Sequence, residues 1–266
     1  MRNIVLLTSL LTLAISLVLL NCRRVSEEPN YDKLSIVKLT KLAYRNDVDA
    51  QLTLAAIYQA GRGVETNPKE AFKWYKKAAE KNDRRAQFLL GRMYYKGEGV
   101  PQDISEAYNW YKRSADQGFS SAQFALGAMY NLGIGVEQNY PEALKCFKLA
   151  ADQGLAWAQF SLGLMYYNGE GIDRDIQEAF KWYQLAADKG HAVAQNYLGL
   201  MYYNGEGTSI DFEKAFFWFL LSSQKPNNTL LEDTIRNRDL AASKLTDDQI
   251  AIIKSQAQIH KDVKVW

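Results

Sequence analysis

The 266-residue chain has few cysteines, few histidines and no excess of charge of one sign. Two cysteines, Cys22 and Cys146, are too few for the disulfide framework that holds small exported domains together. Two histidines, His191 and His260, share no spacing with a cluster of cysteines or carboxylates. The formal net charge of +2 comes from interleaved acids and bases, which gives no long-range attraction to nucleic acid. We therefore expect no metal, no cofactor and no nucleic-acid partner.

A long hydrophobic run stands at the N-terminus. Arg2 precedes the 17 residues from Ile4 to Leu20, which are apolar apart from four Ser or Thr, and this is the pattern of a secretory signal peptide. Cys22 follows directly, as in a bacterial lipoprotein processing site where the thiol is lipidated, although Asn21 departs from the small residue usual before that cysteine. A plain cleaved signal peptide and an uncleaved anchor are the alternatives.

All three alternatives place the rest of the chain outside the cytoplasmic membrane. We predict an exported protein of the periplasm, or one anchored as a lipoprotein in the outer or cell-surface membrane through Cys22, with free secretion as the alternative. Residues 1–22 form the signal in this interpretation, and the polar residues 23–31 form a tether.

Residues 50–223 repeat with a period of 36 residues. In each unit a leucine is followed four residues later by a tyrosine on the same helical face, and a Gly-x-Gly pair then ends this first helix. A second helix carries an alanine and then an aromatic pair, in which Cys146 replaces one tryptophan. Such a period predicts a solenoid whose units pack on their neighbours. The five units are 50–85, 86–121, 122–157, 158–193 and 194–223.

The two ends of the array depart from the pattern, as the ends of a solenoid must. Residues 32–49 are predicted as an N-terminal capping helix and residues 224–266 as a C-terminal helical cap, in which Leu230–Ala242 is a helix and Thr246 begins a capping box. The predicted fold is all-α: a right-handed α/α solenoid (superhelix) of five 36-residue helix-turn-helix repeats with helical caps.

The repeated motif reads Ala-x-x-x-Leu-Gly-x-x-Tyr-x-x-Gly-x-Gly, then Ala-x-x-Trp-Tyr-x-x-Ala-Ala-x-x-Gly. It closely resembles the Sel-one-like repeat, a relative of the tetratricopeptide repeat, from Ala50 to Ser223. The resemblance implies an adaptor or scaffold, in bacteria often one of the cell envelope that serves host interaction or signalling. A cysteine-rich exported branch of the family carries a disulfide in each repeat, and this chain lacks those cysteine pairs.

Penicillin-binding and β-lactamase activity has been attached to that cysteine-rich branch. The motif Ser-x-x-Lys occurs here at Ser35–Lys38 and Ser222–Lys225, but the Ser-Asp-Asn and Lys-Thr-Gly partners of such a site are absent. We therefore predict a non-catalytic scaffold that binds a protein or peptide. The alternatives are a cell-wall protein that binds or hydrolyses peptidoglycan or β-lactams, and a secreted host-interaction factor.

The resemblance also implies which face a partner contacts. In tetratricopeptide-like stacks the first helices line a concave groove, and here they would carry side chains that repeat packing does not demand. The predicted groove residues are Arg85, Arg92, Tyr95, Asn131, Phe160, Tyr167, Asn168, Tyr203 and Asn204. Phe88 and Phe160 fit a core position equally well.

Three further features are assigned to structure rather than to chemistry. Glu98, Glu170 and Glu206 lie in Gly-Glu-Gly loops one repeat or more apart, so we interpret them as turn residues and not as an acid/base pair. Cys146 is interpreted as a small buried filler, and His191 as solvated or locally hydrogen-bonded.

Overall fold

The computed structural model describes residues 35–225 and 228–263, which contain 13 α-helices and no strand. The predicted signal and tether, and with them Cys22, lie outside these residues. The all-α architecture of consecutive helix pairs is confirmed. Among the described helices, none has both the length and the hydropathy needed to cross a bilayer.

Helix α1 (Ile36–Tyr44) precedes five helix pairs. The first helices of the pairs, called the A helices, are α2 (Val48–Ala60), α4 (Arg84–Lys96), α6 (Ser120–Leu132), α8 (Ala156–Asn168) and α10 (Ala192–Asn204). The second helices, called the B helices, are α3 (Pro68–Glu80), α5 (Ile104–Asp116), α7 (Tyr140–Asp152), α9 (Ile176–Asp188) and α11 (Phe212–Ser223). Helices α12 (Leu231–Ala242) and α13 (Asp247–Val263) follow.

The chain forms two compact units, divided between Ala150 and Ala151. In the first unit, each helix from α1 to α5 packs on the next helix along the chain. In the second unit, α8 to α12 pack in the same manner, and α13 returns to pack on α11. The repeat leucines are buried, as their periodicity predicts: Leu54, Leu90, Leu126, Leu162 and Leu198.

The glycine inside four of the A helices is explained by a ring from the paired B helix. A Cβ atom added at Gly163 would lie 2.7 Å from the ring of Tyr183, and one at Gly199 would lie 2.7 Å from Phe219. Real carbon atoms do not approach so closely, so only glycine lets the ring pack against the helix backbone. The glycine that follows the repeat leucine therefore marks a close approach between the two helices of a repeat.

Helix ends follow the predicted signals. Gly97 ends α4 with a φ of 72°, the left-handed conformation that glycine adopts without steric cost. Pro68 occupies the first turn of α3, where its missing N–H costs nothing. The Thr246 Oγ1 accepts from the Gln249 N–H at 3.3 Å while the Gln249 Oε1 accepts from the Thr246 N–H at 2.9 Å, which is the predicted capping box.

A buried glutamine joins each A helix to the helix before it, and the periodicity of apolar residues gave no sign of this. Gln195 is 2% exposed, and its Nε2 donates to the carbonyl of Ala187, eight residues earlier, at 3.1 Å. The bond gives this carbonyl, which lies in the last turn of the preceding helix, a second donor beside the Gly190 N–H at 2.9 Å. The same bond is made by Gln51, Gln87, Gln123 and Gln159.

Candidate functional site

The A helices carry one half-buried polar or aromatic side chain at the same position in every repeat, directly after the repeat tyrosine or its equivalent. These residues are Gln59, Tyr95, Asn131, Tyr167 and Tyr203. Four of the five are predicted groove residues. This set, called the A-face position below, is accessible to solvent while the leucines of the same helices are buried.

In the first unit, Gln59 at the A-face position belongs to a charged network. The Arg92 guanidinium donates to the Gln59 Oε1 at 2.9 Å, and the Gln59 Nε2 donates to the Glu98 Oε2 at 3.0 Å. Arg85 binds two carboxylates, with its Nη2 atom 2.5 Å from Asp49 and 2.9 Å from Asp83. Both predicted arginines are therefore fixed by residues of the preceding repeat, Arg92 by Gln59 and Arg85 by Asp49. Arg85 is held in addition by Asp83.

In the second unit, Tyr167 at the A-face position is held by a glutamate. The Tyr167 hydroxyl donates to the Glu206 carboxylate at 2.8 Å, and the Asn204 Nδ2 donates to the other oxygen of Glu206 at 3.2 Å. Burial, together with the bond to Glu206, raises the pKa of Tyr167 to about 12. The guanidinium of Arg174 lies 5.7 Å from the centre of the Tyr167 ring. Tyr167 is thus fixed on its ring face and at its hydroxyl.

The remaining predicted residues are placed as follows. The exposed Asn168 donates to Glu170 at 3.2 Å, and burial raises the pKa of that glutamate. The Tyr203 ring lies edge-on to Phe212 at 5.2 Å. Tyr95 is half-buried, and Asn131 has a buried Oδ1 to which the described residues supply no donor.

Two of the three glutamates of the Gly-Glu-Gly loops therefore do more than complete turns. Glu98 accepts from Gln59, and Glu206 accepts from Tyr167, in both cases across 39 residues. The loop of one repeat is thereby hydrogen-bonded to the A helix of the preceding repeat. A comparison of positions one period plus three residues apart would have suggested this pairing, because Gln59, Asn131 and Tyr167 each have a glutamate 39 residues later.

Phe160 lies in the core, where a partner cannot reach its ring. It is 2% exposed and packs on Tyr183, with the ring centres 5.6 Å apart. Phe88 is also buried, at 0% exposed. The structure therefore favours the core alternative for both phenylalanines.

His191 caps helix α10 as a neutral imidazole. Its Nδ1 accepts from the Ala194 N–H at 3.1 Å, and the ring lies between Trp157, at 4.1 Å, and Phe160, at 4.8 Å. Burial lowers the pKa of His191 to about 3. An imidazole that stays neutral and accepts at Nδ1 has a structural role here, and the interpretation as a locally hydrogen-bonded histidine is confirmed.

The other reactive groups also have structural partners. The Ser35 hydroxyl accepts from the Lys38 N–H at the start of α1, and the buried Ser222 hydroxyl donates to the Ala192 carbonyl at 2.7 Å. Cys146 is 7% exposed, as predicted for a filler, and burial raises the pKa of its thiol to about 11. Within residues 35–225 and 228–263, no three His, Cys, Asp or Glu side chains come together as a metal site.

Comparison with known proteins gives a family match over most of the chain. A sequence model of the Sel1 repeat matches residues 48–83, 84–119, 120–155, 158–191 and 192–227. Most of these repeats begin two residues before the predicted units. The A helices α2, α4, α6 and α10 begin at the same residues as their repeats.

Solved structures of bacterial proteins are similar to the chain. A Sel1 repeat protein from Oxalobacter formigenes is 32% identical, with a TM-score of 0.67 over 74% of this chain and 87% of that chain. The protective antigen c5321 of uropathogenic Escherichia coli is 27% identical, with a TM-score of 0.44 over 85% of this chain and 63% of that chain. A putative Sel1 repeat protein from Klebsiella pneumoniae is 21% identical, with a TM-score of 0.47 over 79% and 100%. No match was found among proteins with curated annotation.

Proposed function

Because the chain belongs to the Sel1 repeat family, whose repeats generally mediate protein–protein interactions, we propose that it is an exported scaffold that binds a protein or peptide through its A helices. Sel1 repeat proteins are typically non-catalytic scaffolds. The structural partners of Ser35 and Ser222 support a function without a nucleophilic serine.

The A-face position carries the proposal. In every repeat it holds a polar or aromatic side chain that remains accessible to solvent, in a helix whose repeat leucine is buried. Gln59 and Tyr167 are already fixed by hydrogen bonds to the next repeat. A partner that contacts them orders few side chains on binding, which lowers the entropic cost of association.

The A helices of the two units suit partner segments of different chemistry. Helix α4 carries three arginines and Lys96, whereas α8 and α10 contain no charged residue. Asp49 and Asp83 already neutralise Arg85, so the segment at α4 is polar with acidic positions rather than strongly acidic. The segment at α8 and α10 is uncharged and rich in groups that pack on tyrosine and bind asparagine.

A site-specific photocrosslinker tests the A helices as the binding surface. Benzoylphenylalanine placed at Tyr167 or Tyr203 should give adducts with a partner in living cells. The matched control is Leu185, which is 44% exposed on the B helix α9 of the same unit. Adducts formed equally well from Leu185, or from Leu185 alone, would contradict the assignment.

The location is proposed from the sequence. The apolar run that ends at Leu20, followed by Cys22, supports export with lipid attached to the Cys22 thiol. Mass spectrometry of the mature N-terminus distinguishes the possibilities. A diacylglyceryl adduct on an N-terminal Cys22 is the expected result, whereas an unmodified N-terminus at another residue indicates simple cleavage and release.

A further inference from the structure

Two loop glutamates of the second unit, Glu170 and Glu206, have no cationic partner among the described residues. No ion pair in that part of the chain includes either of them. Each accepts from the asparagine two residues before it, Asn168 or Asn204, at 3.2 Å, and Glu206 also accepts from Tyr167 at 2.8 Å. Both glutamates are half-buried, and burial raises the pKa of Glu170. Their charge is therefore partly removed from water without being neutralised by the protein.

A buried hydroxyl lies near both carboxylates. Tyr183 is 0% exposed, and its hydroxyl has no hydrogen-bond partner among the described residues. Burial raises the pKa of Tyr183 well above its usual value, with further contributions from Tyr197, Tyr167 and the two glutamates. The glutamates of two consecutive repeats thus act on the same point of the A face. The Tyr183 hydroxyl donates to neither carboxylate, so it does not relieve their charge.

The second repeat shows which group is missing. Lys96 precedes Glu98 by two residues, as Asn168 precedes Glu170 and Asn204 precedes Glu206 in later repeats. The Lys96 Nζ lies 3.5 Å from the Glu98 carboxylate. The chain therefore supplies a cation to the loop glutamate of the second repeat and an uncharged amide to those of the last two.

The surroundings of the two glutamates are negative. Residues 151–263 contain 15 acidic and 10 basic residues, whereas residues 35–150 contain 12 acidic and 17 basic ones. Arg174 lies in the same loop as Glu170, but its Nε donates to the Tyr167 carbonyl at 3.0 Å and its guanidinium lies over the Tyr167 ring. Helices α8 and α10 end beside these loops, and the C-terminal end of a helix carries partial negative charge. The field at these loops attracts a cation.

We propose that the partner segment bound along α8 and α10 places a lysine or arginine side chain on the carboxylates of Glu170 and Glu206. The inference rests on the proposed A-helix function and adds the chemistry of one position: the segment is uncharged along the helices and basic at the loops that follow them. Glu170 accepts a single hydrogen bond from the described residues, which leaves lone pairs for an ammonium or guanidinium group. The apolar stem of such a side chain packs on the tyrosine rings of the A-face position.

Peptides that differ in one residue test the proposal. Peptides that bind the full chain are selected from a random display library, and ¹H–¹⁵N shifts identify those that lie on α8 and α10. These peptides should be enriched in lysine or arginine, and replacing that residue by glutamine should weaken binding about fivefold, with a smaller difference at high salt. Peptides that bind these helices without a basic residue would overturn the inference and leave the A-helix function intact. If no peptide binds there, both are overturned.

The chain offers matched variants. Asn168→Lys combined with Asn204→Lys supplies the cation that Lys96 supplies in the second repeat, so this chain should bind the basic peptide and its glutamine counterpart equally well. Asn168→Leu combined with Asn204→Leu copies Leu132 of the third repeat and adds no charge. This control should keep the ratio of the two affinities, whatever its effect on each of them. A preference for the basic peptide that persists in the lysine variant, or that disappears equally in the leucine variant, overturns the proposal.

Discussion

Acidification should destabilise the protein through His191. The ring is 7% exposed, lies between Trp157 and Phe160, and accepts from the Ala194 N–H at its Nδ1. Protonation would turn that nitrogen from an acceptor into a donor, break the cap of α10 and bury a positive charge. Burial accordingly lowers the pKa of His191 to about 3.

The sign and size of the effect follow from proton linkage. Histidine in an unfolded chain has a pKa of about 6.5, so between about pH 6.5 and 3 the unfolded state binds one more proton than the folded state. The stability contributed by the neutral histidine is fully present above about pH 6.5 and is lost as the pH falls. Between pH 7.5 and 5.0 the loss in free energy of unfolding is about 2 kcal/mol.

Urea unfolding at pH 7.5 and pH 5.0 measures this loss, with His191→Leu as the reference. The chain itself places Leu155 at the equivalent position, before α8, with no side-chain cap. The variant should be less stable at pH 7.5 by about 1 kcal/mol because the cap is gone. Titrating carboxylates are common to both proteins, so the wild type should lose about 2 kcal/mol more on acidification. An equal loss in both would refute a neutral, buried His191.

Three further outcomes are expected. In urea unfolding, Gly163→Ala should lower the free energy of unfolding by about 1–3 kcal/mol, because the alanine Cβ would lie 2.7 Å from the Tyr183 ring. Helix propensity alone predicts an increase of about 1 kcal/mol, and such an increase would contradict the close packing. Tyr167→Phe should lower the free energy of unfolding by about 0.5–1.5 kcal/mol, because the bond to Glu206 is lost. Tyr203→Phe should lower it less, since the Tyr203 hydroxyl makes no hydrogen bond to the described residues. Equal losses in the two variants would argue against the inter-repeat bond. In a Cys22→Ser chain at pH 8, Cys146 should react with Ellman's reagent at least about a hundredfold more slowly in the folded protein than in urea. The reason is that burial raises the pKa of its thiol to about 11. Fast reaction of the folded chain would contradict the burial of Cys146.

The repeat architecture could be predicted because packing imposes it at every period. Leu162, Gly163 and Tyr183 recur for one reason, which is that a ring of the B helix rests on the A-helix backbone beside a buried leucine. The unit boundary was less predictable. Asp47 and Asp83 cap α2 and α4 before the first repeating alanine, but Phe119 and Leu155 hold that place without a side-chain cap, so no periodic signal marks it.

The candidate site was predicted in position more than in its contacts. The register placed Tyr167 on the accessible side of its helix, and the structure leaves that residue half-buried. Its bond to Glu206 spans 39 residues, one period plus three, and depends on how the loop of the next repeat folds back. For Phe160 even the position was not settled by the sequence. The repeat register does not distinguish a ring on the surface from one that packs on Tyr183 in the core.

The contacts of each residue on this face determine whether its substitution affects partner binding alone or the stability of the fold as well. Tyr167 joins two repeats through Glu206, so its replacement changes the stacking of repeats as well as the surface that a partner meets. Asn168 is exposed, and among the described residues its side chain bonds only to Glu170 in its own loop, so the folded state depends little on it. If a partner rests on this face, loss of affinity in Asn168→Ala without loss of stability identifies the contact. A loss in Tyr167→Phe alone instead means that the partner requires the two repeats to be locked together.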